Sequence, residues 1–356
     1  STENILPDYE GVTRASKLPP SGSAIQFKMD DILISNIRPY LKKVWLSNKD
    51  GGASNDVIIV RAKEKIAAKY LSFMLKNDVF IEYVMNGAKG VKMPRGDIFL
   101  MKEYPLAIPS PAEQQKIADC LTSLDDLIAA QSQKVETLQA YKKGLLQNLF
   151  PAEGESVPRL RFPEFQSAGG WEEINLGDLG TPVLGLTYSP ADIRDKGLLV
   201  LRSSNIKDGK IVLDDCVYVA ENVRRANLSK PNDILICVRN GSTALIGKNA
   251  LIPEGMPLCT HGAFMTVFRS NTPKFVYQLL QTEAYQNQVA AGLGARINSI
   301  NNSQLVNYKF FVPTLPEEQQ RIAELLSALD EQISAQGEAL AALKVHKKGL
   351  MQGLFP

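Results

Sequence analysis

Two stretches of this chain are copies of one another. Residues 111–151 read PAEQQKIADCLTSLDDLIAAQSQKVETLQAYKKGLLQNLFP and residues 316–356 read PEEQQRIAELLSALDEQISAQGEALAALKVHKKGLMQGLFP, identical at 21 of 41 positions with a constant offset of 205. A long-period repeat constrains the architecture before any local reading, because each copy must solve the same burial problem. The correspondence continues upstream: Lys69-Tyr70-Leu71 answers Lys274-Phe275-Val276, and Gly87 answers Gly292. At an offset near 202, Asp31-Ile32-Leu33-Ile34 answers Asp233-Ile234-Leu235-Ile236, and Ser1–Ile5 then answers Arg202–Ile206. The chain therefore reads as two copies of one module, a variable globular part followed by a long helix. Copy two opens near Trp171, in GGWEEINLGDLG; copy one lacks that lead-in, so about 30 residues are expected ahead of Ser1.

Each repeated segment carries an apolar stripe. Ile117, Leu121, Leu124, Ile128, Gln131, Val135, Leu138, Lys142 and Leu145 step alternately by four and three, and so do Ile322, Leu326, Leu329, Ile333, Gln336, Leu340, Leu343, Lys347 and Leu350. Such a 3.5-residue period is a heptad seam and gives a left-handed supercoil. A helix over 112–149, about 38 residues, makes a rod of about 57 Å. The obvious partner for each seam is the other. Antiparallel rods with pseudo-twofold symmetry would carry one globular part at each end and act as a ruler. Gln131 and Gln336 sit near the helix midpoints, and a polar pair in an apolar seam fixes register, so a Gln131–Gln336 contact is predicted. Glu113, Gln114, Gln115, Lys142 and Lys143, retained in both copies, are read as outward-facing and as one partner surface presented twice.

The predicted fold class is α+β: two mixed α/β domains separated by a pair of long antiparallel coiled-coil helices. The expected boundaries are 1–110 and 171–315 for the globular parts, 111–150 and 316–356 for the helices, and 151–170 for a Pro- and Gly-containing linker. Candidate strands are 31–35, 56–61, 198–202, 233–238 and 263–268, with short helices over 67–86 and 273–291. No apolar run of eighteen residues exists, so no membrane span is expected. Neither is a secretory leader seen, and the four cysteines are too dispersed for a disulfide scaffold; both point to the cytoplasm.

With 40 Lys plus Arg against 38 Asp plus Glu, the formal charge is +2. That argues against a general polyanion coat and leaves room for local basic patches. The globular parts agree at framework positions and diverge in polar loops, as two readers of different targets would. After the shared strand, copy one continues SNIRPYLKKVW and copy two CVRNGSTALIGKN. Arg and Lys can fork onto guanine, Asn onto adenine, and Lys neutralises phosphates. The DNA-binding candidates are Asn36, Arg38, Tyr40, Lys42, Lys43, Lys89, Lys92 and Arg95 in copy one. In copy two they are Arg202, Asn205, Arg239, Asn240, Ser242, Lys248, Arg296 and Asn298.

Signs of catalysis are missing. The string Gly241–Asn249 has five residues between its glycines and Asn where a P-loop needs Ser or Thr. Gly292-Leu293-Gly294 lacks the third glycine of a dinucleotide fingerprint. Cys259 and His261 are the one close Cys/His pair, too few for a structural zinc site; His261 is read as a core or turn residue, with groove contact the alternative. His346 answers Tyr141 at a shared aromatic slot. No catalytic triad and no Asn-Pro-Pro-aromatic methyltransferase motif occur, so no metal and no cofactor are expected.

The paired PxEQQ[KR]IAxxL…LD…KKGLxQxLFP helices, the preceding IPSP and VPTLP, the PRLRFPEF linker and the WEEINLGDLG opening resemble the specificity subunits of type I restriction–modification systems. The resemblance covers nearly the whole chain. It implies two target-recognition domains, each reading half of a bipartite double-stranded DNA target in the major groove, joined by antiparallel spacer helices. It also implies a non-catalytic subunit that recruits two modification subunits, which methylate adenine from S-adenosylmethionine, and then ATP-dependent restriction subunits. The competing reading is a protein-interaction scaffold whose rod and loops do not bind DNA.

Overall fold

The structure, a computed structural model, describes residues 1–15, 24–293 and 298–355. Among these, no helix is long and apolar enough to cross a membrane. The chain divides into two compact units that do not follow the repeat boundaries. One unit comprises residues 1–134 and 336–356, the other 135–335, so each long helix contributes to both.

The first unit contains β1 (Ile25–Phe27), β2 (Ile32–Ser35), β3 (Val44–Leu46), β4 (Gly51–Ala53) and β5 (Val57–Val60). β3-β2-β5 form an antiparallel sheet and β1 pairs with β4. Then come α1 (Ala68–Leu75), α2 (Asp78–Asn86), α3 (Ile98–Lys102) and the start of α4 (Pro111–Leu149). The Asp-Ile-Leu-Ile motif explains β2. Ile32 and Ile34 pack under α1 and α2 with Leu71, Phe80 and Val84, while Leu33 faces Ile5, Phe27 and Val57. A strand buried on both faces must be continuously apolar. Asp31, buried at its start, accepts the Lys28 N–H at 2.7 Å and binds Arg61 in a bidentate pair at 2.7 and 2.6 Å.

The second unit repeats this frame with additions. It contains β6 (Trp171–Asn175), α5 (Leu176–Leu179), β7 (Gly180–Leu184), β8 (Ile193–Arg194), β9 (Leu198–Leu201), β10 (Ile206–Lys207), β11 (Lys210–Ile211) and β12 (Val217–Val219). β13 (Ile234–Cys237), β14 (Asn249–Leu251), β15 (Cys259–His261) and β16 (Met265–Ser270) follow. The unit closes with α6 (Pro273–Leu279), α7 (Glu283–Gly292), α8 (Asn302–Val306), β17 (Lys309–Pro313) and the start of α9 (Pro316–Leu354). One sheet runs β14-β13-β16-β7, a second β15-β9-β12-β8, and β17 pairs with β6. β13 repeats the logic of β2: Ile234 and Ile236 face α6 and α7, and Leu235 and Cys237 face the other core. Asp233 accepts the Lys230 N–H at 2.7 Å and pairs with Arg269 at 2.8 and 2.7 Å.

Short helices occupy 67–86 and 273–291, as expected, and each span holds two of them, because a polar side chain caps the second. Asn77 accepts from Val79 N–H, and Thr282 accepts from Tyr285 N–H. Side-chain capping satisfies N–H groups that a continuous helix would bond internally.

The long helices, 39 residues each, run antiparallel where they meet in either unit. In the first unit Ile117, Ala118 and Leu121 pack with Leu350, Met351 and Phe355; Asp125 pairs with Lys347; and the Gln131 amide donates to the Gln336 side-chain and backbone oxygens, both at 2.9 Å. In the second unit Leu145 and Leu149 pack with Ile322 and Leu326, and Lys142 pairs with Asp330 at 2.6 Å. The 205-residue offset turns Asp125–Lys347 into Asp330–Lys142. All eighteen seam positions are buried or half-buried.

The outward surface read from the sequence needs correction at two residues. Gln114 is buried: its oxygen accepts the Ala67 N–H, and its amide donates to the carbonyls of Lys65 and Pro109. Lys142 is buried against Asp330. Their retention reflects internal contacts. Glu113, Gln115 and Lys143 are exposed.

Candidate nucleic-acid interface

In both copies the loop leaving the doubly buried strand is stitched to the segment after the second short helix. In copy two, Ile300 N–H donates to Val238 O at 2.8 Å and Asn240 N–H to Asn298 O at 3.4 Å, while Val238 and Arg239 donate their own N–H groups to Phe264 O, just before β16, at 3.0 and 3.1 Å. In copy one, Arg38 N–H donates to Pro94 O at 2.8 Å, Gly96 N–H to Asn36 O at 3.2 Å, and Lys89 and Arg95 exchange both backbone bonds. Backbone pairing thus rigidifies loops that the sequence leaves free to vary, which is what a recognition surface on a fixed frame needs.

Copy two brings together Arg239, Asn240, Ser242 and Asn298. The Asn240 amide donates to Ser203 Oγ at 3.1 Å, its oxygen accepts the Ser242 N–H at 3.0 Å, and the Asn298 amide reaches Gly241 O at 3.4 Å. The exposed Arg239 guanidinium lies 5.7 Å from the Phe264 ring centroid. Phe264 is itself 57% exposed, and sequence reading missed it. Its signal was weak: a Phe inside the expected strand 263–268 reads as core. A cation on an aromatic face keeps its outward N–H groups free for an acceptor.

Other candidates have partners of their own. Asn205 is fully buried, its amide donating to Val212 O and Asp215 O, so it braces its own turn. Arg202 is held by Asp215 at 2.6 Å. Lys248 lies where β14 begins, its backbone oxygen bonded to Cys237. Arg296 lies outside the described residues.

Copy one gathers Asn36, Arg38, Lys89, Lys92 and Arg95. Lys89 pairs with Asp97 at 3.3 Å and Arg95 with Asp56 at 3.1 Å. The Lys89 ammonium, with the N–H groups of Phe99 and Leu100, holds the Asp97 carboxyl below its ordinary range. Exposed pairs of this kind are weak, so both cations can exchange to a phosphate. Tyr40 is exposed. Lys42 is tied to Asp78 at 2.6 Å and Lys43 to Thr2 O at 2.9 Å, which turns both toward the fold.

No group of three metal-ligating side chains occurs among the described residues. His261 is buried: Nε2 faces Val183 O at 2.9 Å and Nδ1 faces Ser229 Oγ at 3.1 Å, and burial lowers its pKa. A carbonyl can only accept, so Nε2 carries the proton. Burial pushes the neighbouring Cys259 thiol up to about 11, away from nucleophilic range.

The signature of the type I restriction modification DNA specificity domain matches residues 10–140 and 168–344. The chain belongs to this family. The type I restriction enzyme MjaVIII specificity subunit of Methanocaldococcus jannaschii is 25% identical over 319 residues, 86% of this chain and 74% of that one. The EcoKI specificity subunit of Escherichia coli K12 is 30% identical over 176 residues, 47% of this chain and 37% of that one. The fold is that of the type I S subunit from M. genitalium, with a TM-score of 0.62 at 18% identity, covering 100% of this chain and 91% of that one. As in that family, this specificity chain pairs recognition domains with long helices.

Proposed function

We propose that this chain reads a bipartite double-stranded DNA target, one half through the loops around Arg38 and Arg95 and the other through those around Arg239 and Asn298. One observation carries the reading. The same stitched loop pair recurs in both copies and presents different polar side chains each time. A constant frame with divergent donors and acceptors is what two half-sites of unlike sequence require. Membership of the specificity family supports DNA as the target over a DNA-free scaffold.

The paired helices then serve as a spacer of fixed length, and the subunit works without chemistry of its own. Two modification subunits and the restriction subunits supply methylation and cleavage, in the cytoplasm.

The test selects DNA sequences with the chain bound to its modification subunits. Two half-sites separated by an unread spacer are expected, with log affinity falling steeply against log salt. Four residues inserted after both Gln131 and Gln336 add about 6 Å of rise and should lengthen the spacer without altering either half-site. Affinity that ignores salt and sequence would overturn the reading in favour of the scaffold.

A further inference from the structure

A cationic turn lies between β12 and β13 of copy two, at residues 223–226. Val223 N–H donates to Ala220 O at 3.0 Å. Just past the turn, the Asn227 amide donates to Leu184 O at 2.9 Å and its backbone oxygen accepts the Thr260 hydroxyl at 2.7 Å. Val223 and Ala226 are half-buried and pack against a small core of Leu186, Leu198, Val200 and Val219. With both ends of the turn anchored, the two residues between them, Arg224 and Arg225, stand out in solvent.

The fold makes no internal use of either arginine. Neither guanidinium has a hydrogen bond or an ion pair among the described residues. Arg225 is held at φ +67°, a left-handed backbone that residues other than glycine adopt rarely and at a cost. The pair is also not part of the repeated frame. At an offset of 202, Lys28 and Lys230 donate their N–H groups to equivalent aspartates, and at that offset the sequence of copy one has Gly22 and Ser23 for Arg224 and Arg225. Like the polar residues of the stitched loops, these cations are what one copy has and the other lacks.

The turn shares its support with the loop of Arg239. Leu186, in the core that anchors the turn, accepts the Ala263 N–H at 2.9 Å. The next residue, Phe264, accepts the Arg239 N–H and carries its guanidinium. A side chain that reads base edges in a major groove about 12 Å wide has a row of phosphates on either side. We propose that Arg224 and Arg225 grip one such row, clamping the phosphate backbone of the half-site that the second unit reads. The assignment rests on the reading of this unit as a DNA reader. The clamp sets the register of the duplex against Arg239 and takes no part in choosing bases. Two adjacent guanidiniums on a rigid turn suit phosphate oxygens, which accept paired N–H groups.

The test uses the full chain with its modification subunits, the DNA selected by the unaltered chain, and a duplex of unrelated sequence. Arg224→Gln with Arg225→Gln should weaken binding to both duplexes about tenfold and make the slope of log affinity against log salt shallower by about 0.9 for each cation lost. The selected half-sites should stay the same. Arg225→Lys should keep the slope, since a phosphate asks for charge. Arg225→Gly, which relieves the left-handed backbone, should leave the unfolding midpoint no lower while losing affinity as Arg225→Gln does. An unchanged slope in the double variant overturns the clamp, and so does an altered base preference, which would make the arginines readers. Affinity lost only together with the unfolding midpoint would make the turn structural and overturn it as well. Were the unaltered chain itself indifferent to salt and sequence, the reading of the unit as a DNA reader would fail first, and the clamp with it.

Discussion

The two copies keep one polar contact on their helices and change what surrounds it. In the second unit Asp330 takes Lys142 and also the amide of buried Gln278, at 2.8 Å. In the first unit Asp125 takes Lys347, and the place of Gln278 is held by Phe73, whose ring centroid lies 5.6 Å from the Lys347 ammonium. A hydrogen bond to the carboxylate in one copy becomes an aromatic face toward the ammonium in the other. Both compensate a lysine drawn out of water, by different means. What the repeat preserves is the charge pair. The third partner is free to drift as long as the desolvated ion keeps some attractive surface.

Glu318 and its counterpart Glu113 show a wider divergence, and give the largest expected difference. Removing Glu318 strands the mostly buried Arg161 guanidinium and the Trp171 N–H, both bonded to its carboxylate. Breaking a buried pair in this way costs about 3–5 kcal/mol, so Glu318→Ala should lower the urea midpoint of the second unit strongly. Glu113→Ala, at an exposed site, should stay within about 0.5 kcal/mol. Unfolding followed by Trp171 fluorescence for the second unit and Trp45 for the first separates the two. Equal losses would mean that Glu113 is buried in solution.

That contrast also marks how far the sequence could be read. The heptad steps brought Gln131 to Gln336 because a 3.5-residue period leaves few alternatives. The repeated Asp-Ile-Leu-Ile exposed β2 and β13, since only a strand buried on both faces is apolar at every position. Asn77 and Thr282 escaped notice as helix breaks because the apolar spacing runs straight through them and one side chain makes each cap. Gln114 and Lys142 looked like surface because polarity was taken for exposure, whereas each meets its hydrogen-bonding needs inside. In the candidate interface, residue type picked out Arg239 and Asn240 and equally Asn205 and Lys42. Only the fold shows which amide braces a turn and which cation is already held by an aspartate.

A graded difference between the units follows from His261. The residues of copy one before its long helix include no histidine. In copy two the buried ring has a pKa lowered from its ordinary 6.5, first by burial. The unfolded chain then binds a proton more readily than the folded one below 6.5, so stability rises with pH in that window and falls as pH drops through it. The second unit should lose stability between pH 6.5 and its folded pKa, and His261→Gln should flatten that slope. A slope unchanged by the substitution would place the titration elsewhere.

The smallest effect concerns the loop that distinguishes the readers. At the place of Arg239 copy one has Ile37, paired through its backbone with Arg95, so among the described residues this loop mounts a guanidinium on an aromatic ring in copy two alone. The exposed ring contributes about 0.5–1 kcal/mol, chiefly by limiting the directions in which the guanidinium points. Phe264→Leu should therefore weaken discrimination by about two- to fivefold at one base pair of the half-site read by the second unit, leaving the other half-site and nonspecific affinity unchanged. Arg239→Ala should cost about 1–3 kcal/mol at that same base pair, and adding Phe264→Leu should then change nothing further, because a ring without its cation has nothing to aim. Additive losses would show that Phe264 touches the DNA itself, and a loss spread over both half-sites would show that Arg239 meets a phosphate.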